Sequence, residues 1–96
     1  MSVYLIANIR VHDLERYKGY VSAVPAIIAK HGGTYRVRGG ETTPLEGRWR
    51  PDRLVVIEFP DRAAALAFYD DPDYAPFKAL RQSITDASVV LADGAT

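Results

Sequence analysis

Five arginines, Arg36, Arg38, Arg48, Arg50 and Arg53, fall within eighteen residues, and the chain's one tryptophan, Trp49, lies among them. A guanidinium fork matches a carboxylate or phosphate through two parallel hydrogen bonds, so such a run could form the lip of an anion site. The plainer alternative is a solvated strand and loop in which Glu41, Glu46 and Asp52 pair with these arginines, an arrangement that contributes little energy. For the group as a whole we favour that alternative. Arg38 stands apart because it precedes Gly39-Gly40, read as a bulge or kink where a backbone opens and a side chain is re-aimed.

Two polar residues interrupt the most apolar stretches. By strand alternation Asn8 shares a face with Tyr4 and Ile6, and Glu58 shares one with Leu54 and Val56. A buried carboxylate is costly unless compensated, so Glu58 needs an arginine, a raised pKa or a ligand. With a raised pKa it is a general base for proton abstraction from a small organic acid. Paired with Arg38, Arg36 or a tyrosine, it is a structural group instead. His31 is either an acid–base residue or the cap of a helix dipole. Glu58 and His31 are thus the acid–base candidates, and Arg38 and Asn8 the ligand-binding ones. Trp49 either closes over a ligand or packs into a partner subunit, and we favour the interface. Tyr17, Tyr20, Tyr69 and Tyr74 lie on helical stripes and read as amphipathic core.

Several chemistries are excluded. The chain has no cysteine, hence no disulfide, thiolate metal site or thiol nucleophile. Two lone histidines with no partners at ligand spacing predict no metal. The glycine pairs fit neither a dinucleotide fingerprint nor a phosphate loop, and no serine sits in a nucleophile elbow, so no cofactor is expected. Twelve basic and twelve acidic residues cancel, which gives no global field toward nucleic acid or an anionic membrane. Nowhere do eighteen apolar residues run together, and the start of the chain lacks the pattern of a signal peptide. The expected location is the cytoplasm.

The elements that must position these groups follow from periodicity. Val3 to Val11 predicts a strand buried on one face. Asp13 caps a helix along which Tyr17, Val21, Val24, Ile28 and His31 recur, until Gly32 supplies a left-handed stop. Pro25, inside that helix, must cost the hydrogen bond to the Val21 carbonyl and predicts a bend. Thr34 to Arg38 is a second strand, extended at an edge by Glu41 to Leu45, and Glu46 to Asp52 is a loop. Arg53 to Phe59 is the third strand. Asp61 caps a helix over Arg62 to Asp70, and Asp71-Pro72 restarts helix with Phe77, Leu80, Arg81 and Ile84 on one face. Ser88 to Ala92 is the fourth strand, and residues 93–96 are a frayed tail.

Two strand-helix-strand units with no linker between them predict a single domain over residues 1–96. Its fold is α+β, a ferredoxin-like sandwich with a four-stranded antiparallel sheet and both helical layers on one face. The other face carries apolar side chains and calls for a second copy of the chain, a homodimer through the sheet.

The chain resembles the small bacterial proteins grouped as domain of unknown function 1330. The resemblance runs from Tyr4-Leu5-Ile6-Ala7-Asn8-Ile9-Arg10-Val11 through Ala29-Lys30-His31-Gly32-Gly33 and Arg38-Gly39-Gly40. It continues in Leu45-Glu46-Gly47, Trp49, Arg53-Leu54-Val55-Val56-Ile57-Glu58-Phe59-Pro60 and Asp71-Pro72-Asp73-Tyr74. It implies a dimeric α+β barrel, a superfamily whose fold is shared by cofactor-free monooxygenases, muconolactone isomerases and haem-degrading enzymes; it carries shape and assembly only. The favoured function is the binding of a small anionic organic metabolite, by a cofactor-independent isomerase, lyase or monooxygenase. The rival is a non-catalytic dimeric binding or assembly module, in which the same polar residues fix register between subunits.

Overall fold

A computed structural model describes residues 1–95. The order is β1 (Val3–Val11), α1 (Leu14–Lys30), β2 (Thr34–Arg38), β3 (Arg53–Phe59), α2 (Arg62–Tyr69), α3 (Ala75–Ile84) and β4 (Thr85–Asp93). The strands form one antiparallel sheet in the order β2-β3-β1-β4, the ferredoxin-like arrangement predicted from the sequence. β1 and β3, the most apolar strands, lie in the middle. Their alternation divides the sheet cleanly: Val3, Leu5, Ala7, Ile9, Val55, Ile57 and Phe59 are buried in one core with Tyr17, Val24, Ile28, Phe68 and Ile84 of the helices. Tyr4, Ile6, Asn8, Leu54, Val56 and Glu58 point to the opposite, open face, where each is half-buried.

Local chemistry sets the element ends. The Asp13 carboxylate accepts from Arg16 N, and Asp61 does the same for Ala64 N, so each caps its helix. At the end of α1, Gly33 N reaches Ile28 O at 3.0 Å and Gly32 N reaches Ala29 O at 3.0 Å, a Schellman closure with Gly32 at φ 77°. α1 runs through Pro25 from Leu14 to Lys30.

Four expectations need correction. Asp71-Pro72 does not start a helix: the Asp71 carboxylate accepts from Asp73 N at 2.8 Å and holds a turn, so α3 begins at Ala75. Glu41 to Leu45 forms no strand. The irregularity in β2 lies between Tyr35 and Val37, not at Gly39-Gly40. Gly39 instead takes φ 71° as the chain leaves the sheet, its N–H bonded to Leu54 O at 2.8 Å. The fourth strand exceeds the predicted Ser88 to Ala92: it follows α3 directly, and Asp93 pairs with Val3. Of the expected frayed tail, Gly94 N still donates to Ser2 O at 2.8 Å, and Thr96 lies outside the described residues.

Candidate functional site

Between sheet and helices lies a cavity of about 40 Å³, with Leu5, Ala7, Val55, Ile57 and Val89 as its floor. That volume takes a few waters. Ala7 stands opposite Val55 on one side and Val89 on the other, so the smallest side chain of the floor leaves the room at its centre.

Three arginines enter this cavity from three different elements. Arg38 pairs with Val55 across β2 and β3 and so points to the helical side of the sheet. Its Nη2 donates to Val21 O at 3.1 Å, and its guanidinium lies 4.7 Å from the Tyr35 ring centre. Val21 O is the carbonyl whose helical partner would be the amide of residue 25, and proline has none. The proline that weakens α1 therefore frees the acceptor on which Arg38 is moored.

Arg53 opens β3 on the same face as Val55. Its Nε is buried and has no hydrogen-bond partner among the described residues. Its guanidinium packs directly on Gly39, where any Cβ would collide with it, and it sits 5.7 Å from the centre of the Tyr17 ring. Arg81 comes from α3 and is only 4% exposed. The buried Thr85 hydroxyl fixes its backbone, donating to Arg81 O at 2.6 Å where helix passes into strand. Burial works to lower the Arg81 pKa, but the adjacent Tyr74 and Tyr20 oxygens outweigh it and hold the group above its ordinary value.

No carboxylate answers these charges. No aspartate or glutamate among the described residues lines the cavity. Among the described residues, the arginines in ion pairs with carboxylates are Arg36 and Arg62, both outside it. The polar groups beside the three guanidiniums are phenols. Tyr20 and Tyr74 share a hydrogen bond of 2.7 Å, and the Tyr17 and Tyr20 rings stack 5.4 Å apart. Burial raises the pKa of Tyr17, Tyr20 and Tyr35 above the ordinary phenol value, so each is a neutral hydrogen-bond donor at pH 7. The cavity thus offers fixed positive charge and phenolic donors on apolar walls.

Residues 2–95 match the family described as Domain of unknown function (DUF1330). The chain belongs to that family. Among solved structures, this DUF1330 protein is similar to a protein of unknown function from Rhodopseudomonas palustris, at 18% identity and a TM-score of 0.81, over 99% of this chain and 83% of that one. It is similar to a dimeric ferredoxin-like protein of unknown function from Jannaschia sp., at 13% identity and a TM-score of 0.76, over 98% of this chain and 100% of that one. A third likeness is to SnoaB, a cofactor-independent oxygenase from Streptomyces nogalater, at 16% identity and a TM-score of 0.70, over 99% of this chain and 94% of that one. At these identities the likeness establishes the fold. No curated protein matches the chain.

The residues singled out by sequence in this DUF1330 chain are not brought together. Of the four, Arg38 alone lines the cavity. Glu58 is on the other face of the sheet, where Ser2 Oγ donates to it at 2.5 Å and Arg36 Nε at 2.9 Å. The Ser2 hydroxyl first, then Arg36, lower its pKa below the ordinary carboxylate value, so the raised pKa required of a general base is not found. Arg38 and Glu58 cannot act on one ligand through the sheet. Asn8 shares the open face and ties the loop before β3 to β1, its Oδ1 accepting from Asp52 N at 2.9 Å. His31 Nε2 lies 2.7 Å from Asp71, which also accepts from Lys30 Nζ at 2.8 Å. These contacts clasp the end of α1 to the turn before α3. Trp49 is 61% exposed in its loop, outside the cavity.

Sequence reasoning does not choose Arg81, Arg53 or the tyrosines as site residues: it weighs Arg53 only with its group, and it reads Arg81 and the tyrosines on helical stripes. The signal for Arg81 was present: with Phe77, Leu80 and Ile84 it completes an apolar helical stripe, and a charge on such a stripe is a buried charge requiring a partner. Arg53 was hidden inside a cationic run of which Arg38 alone shares its cavity, while Arg36, Arg48 and Arg50 lie elsewhere.

Proposed function

We propose that this protein binds a small organic anion in the cavity between sheet and helices, with Arg38, Arg53 and Arg81 as its counter-charges. One observation carries this reading: three guanidiniums meet in one cavity with no carboxylate, and the Arg53 Nε within it has no acceptor. A buried charge without compensation is expensive, and an anionic ligand removes the cost. The lining supplies oxyanion stabilisation and phenolic proton donors, but no carboxylate or histidine to serve as general base. This favours binding, or chemistry on an already acidic substrate, over proton abstraction by the protein. Likeness to SnoaB favours cofactor-free oxygenation of the bound anion as a second reading. Oxygen uptake in the presence of a bound acid separates the two. A thermal-shift screen against small carboxylic acids tests the first. Stabilisation by several acids, lost in Arg53→Gln, is expected, and no stabilisation by any acid contradicts it.

The working form we propose is a homodimer through the open sheet face, in a reducing cytoplasm that suits a cysteine-free chain. Support comes from the apolar Tyr4, Ile6, Leu54 and Val56 on that face, from Val90, 56% exposed there, and from a similar fold that is dimeric in Jannaschia sp.. Light scattering on diluted protein is expected to give a mass near twice 10.6 kDa. A well-folded monomer at all concentrations would contradict the dimer.

A further inference from the structure

The three guanidiniums enter one cavity from β2, β3 and α3, and α3 leads directly into the edge strand β4. Arg38 stands on β2 and Arg53 on β3, diagonal neighbours around Val55. Arg81 reaches in over β4, where it shares an outer groove with Thr85, Val89 and Asp86, whose carboxylate is held by His12 at 2.9 Å. β2 and β4 are the two edges of the sheet, separated by three strand spacings, or ~14 Å of backbone. The floor between the margins is apolar, with Ala7 at its lowest point, flanked by Val55 and Val89. Tyr17 lines the same cavity, its ring centre 5.7 Å from the Arg53 guanidinium.

Building on the anion-binding reading, we propose that the ligand is a compact dicarboxylic acid, with two anionic groups separated by a short apolar spacer. A single carboxylate neutralises one margin and leaves the other guanidinium uncompensated in a site of low dielectric. A phosphate group concentrates its charge at a point and calls for donors built around it, whereas these donors stand on three separate elements along an apolar floor. A dicarboxylate sets one fork at Arg38 and Arg53 and the other at Arg81, with its methylenes over Ala7. The small cavity volume, about 40 Å³, confines the spacer to a few carbons.

Calorimetric titration at low ionic strength with succinate, glutarate, the matched monoacids butanoate and pentanoate, and inorganic phosphate tests this directly. One dicarboxylate is expected to bind at least about tenfold more tightly than its monoacid, the worth of one additional charged hydrogen-bonded contact. Arg81→Met is expected to erase that advantage and bring the diacid to the affinity of the monoacid. If Arg81→Met does not fold, Arg38→Gln at the exposed rim makes the same comparison from the other margin. Equal affinity of diacid and monoacid overturns the dicarboxylate assignment and leaves the anion site standing, as does phosphate binding more tightly than either. Silence of every anion overturns the underlying reading as well.

Discussion

The two faces of this sheet treat charge in opposite ways. On the open face Glu58 meets Ser2 and Arg36, and Asn8 meets Asp52, so each polar side chain is answered by its neighbours. On the helical face Arg38, Arg53 and Arg81 lie among phenols and apolar walls without one carboxylate. A satisfied pair holds a fold together and has nothing left to offer a ligand. A charge met by neutral phenols and a carbonyl, with the Arg53 Nε left without an acceptor, still has capacity to take an anion. The comparison therefore separates structure from site without reference to any motif.

The largest effect should come from the unsatisfied side. Arg81→Met is expected to weaken binding of an organic acid by about tenfold to a hundredfold, the loss of one charged hydrogen-bonding partner. The melting temperature should hold or rise, because the variant removes a buried charge rather than a pair. Titration and melting curves on the same sample check both halves. A fall in stability with unchanged affinity would break the contrast between the faces.

Next in size is Pro25→Ala, which returns to α1 the amide that Val21 O lacks. An interior proline costs roughly 3 kcal/mol in a helix, so a substantial rise in melting temperature is expected. Arg38 then competes with the helix for its mooring, and affinity for the acid should fall severalfold. Stability and binding moving in opposite directions is the signature. If both rise, Arg38 is not held in place through the freed carbonyl.

The clasp at the end of α1 gives a smaller effect, visible in pH. Lys30 first, then His31, depress the Asp71 pKa well below the usual carboxylate range. The stability it contributes is present above the ordinary aspartate pKa and is lost as pH falls through the depressed value. Wild-type melting temperature should therefore decline in acid, and Asp71→Asn should start lower at neutral pH and decline less. Acid affinity at pH 7 should be unchanged. A loss of affinity in that variant would bring His31 back into the site.

Most of the frame was legible in the sequence. Alternation in Val3–Val11 and Arg53–Phe59, the Asp13 and Asp61 caps and the Gly32 stop are local signals, and local chemistry decided them. The errors fell where tertiary contacts decide. Pro72 looked like a helix start, but the Asp71 carboxylate closed a turn there first. Arg38 was found for an incorrect reason, a bulge at Gly39-Gly40, when the register change lies between Tyr35 and Val37. That change sets Arg38 on the helical face while Arg36 reaches Glu58 on the other, and no reading by simple parity could separate them. Arg81 required the knowledge that a cavity opens beside it, since Phe77, Leu80 and Ile84 of the same stripe pack on the core.

Least affected should be Glu58→Gln: a small loss of melting temperature and no change in ligand affinity, since its carboxylate faces away from the cavity. Changed affinity there would undo the division of the sheet into two faces.

The most direct test follows the arginine side chains themselves. Nitrogen-15 spectra of the Arg Nε–H groups, recorded while an organic acid is titrated in, report each guanidinium separately. The Arg53 and Arg81 resonances, and Arg38 at the rim, are expected to shift together and saturate with one binding constant. Those of Arg36 and Arg62, already paired with carboxylates, should stay in place. Shifts confined to Arg36 and Arg62, or no shift at Arg53 and Arg81 with every acid tried, would contradict the assignment of the cavity as an anion site.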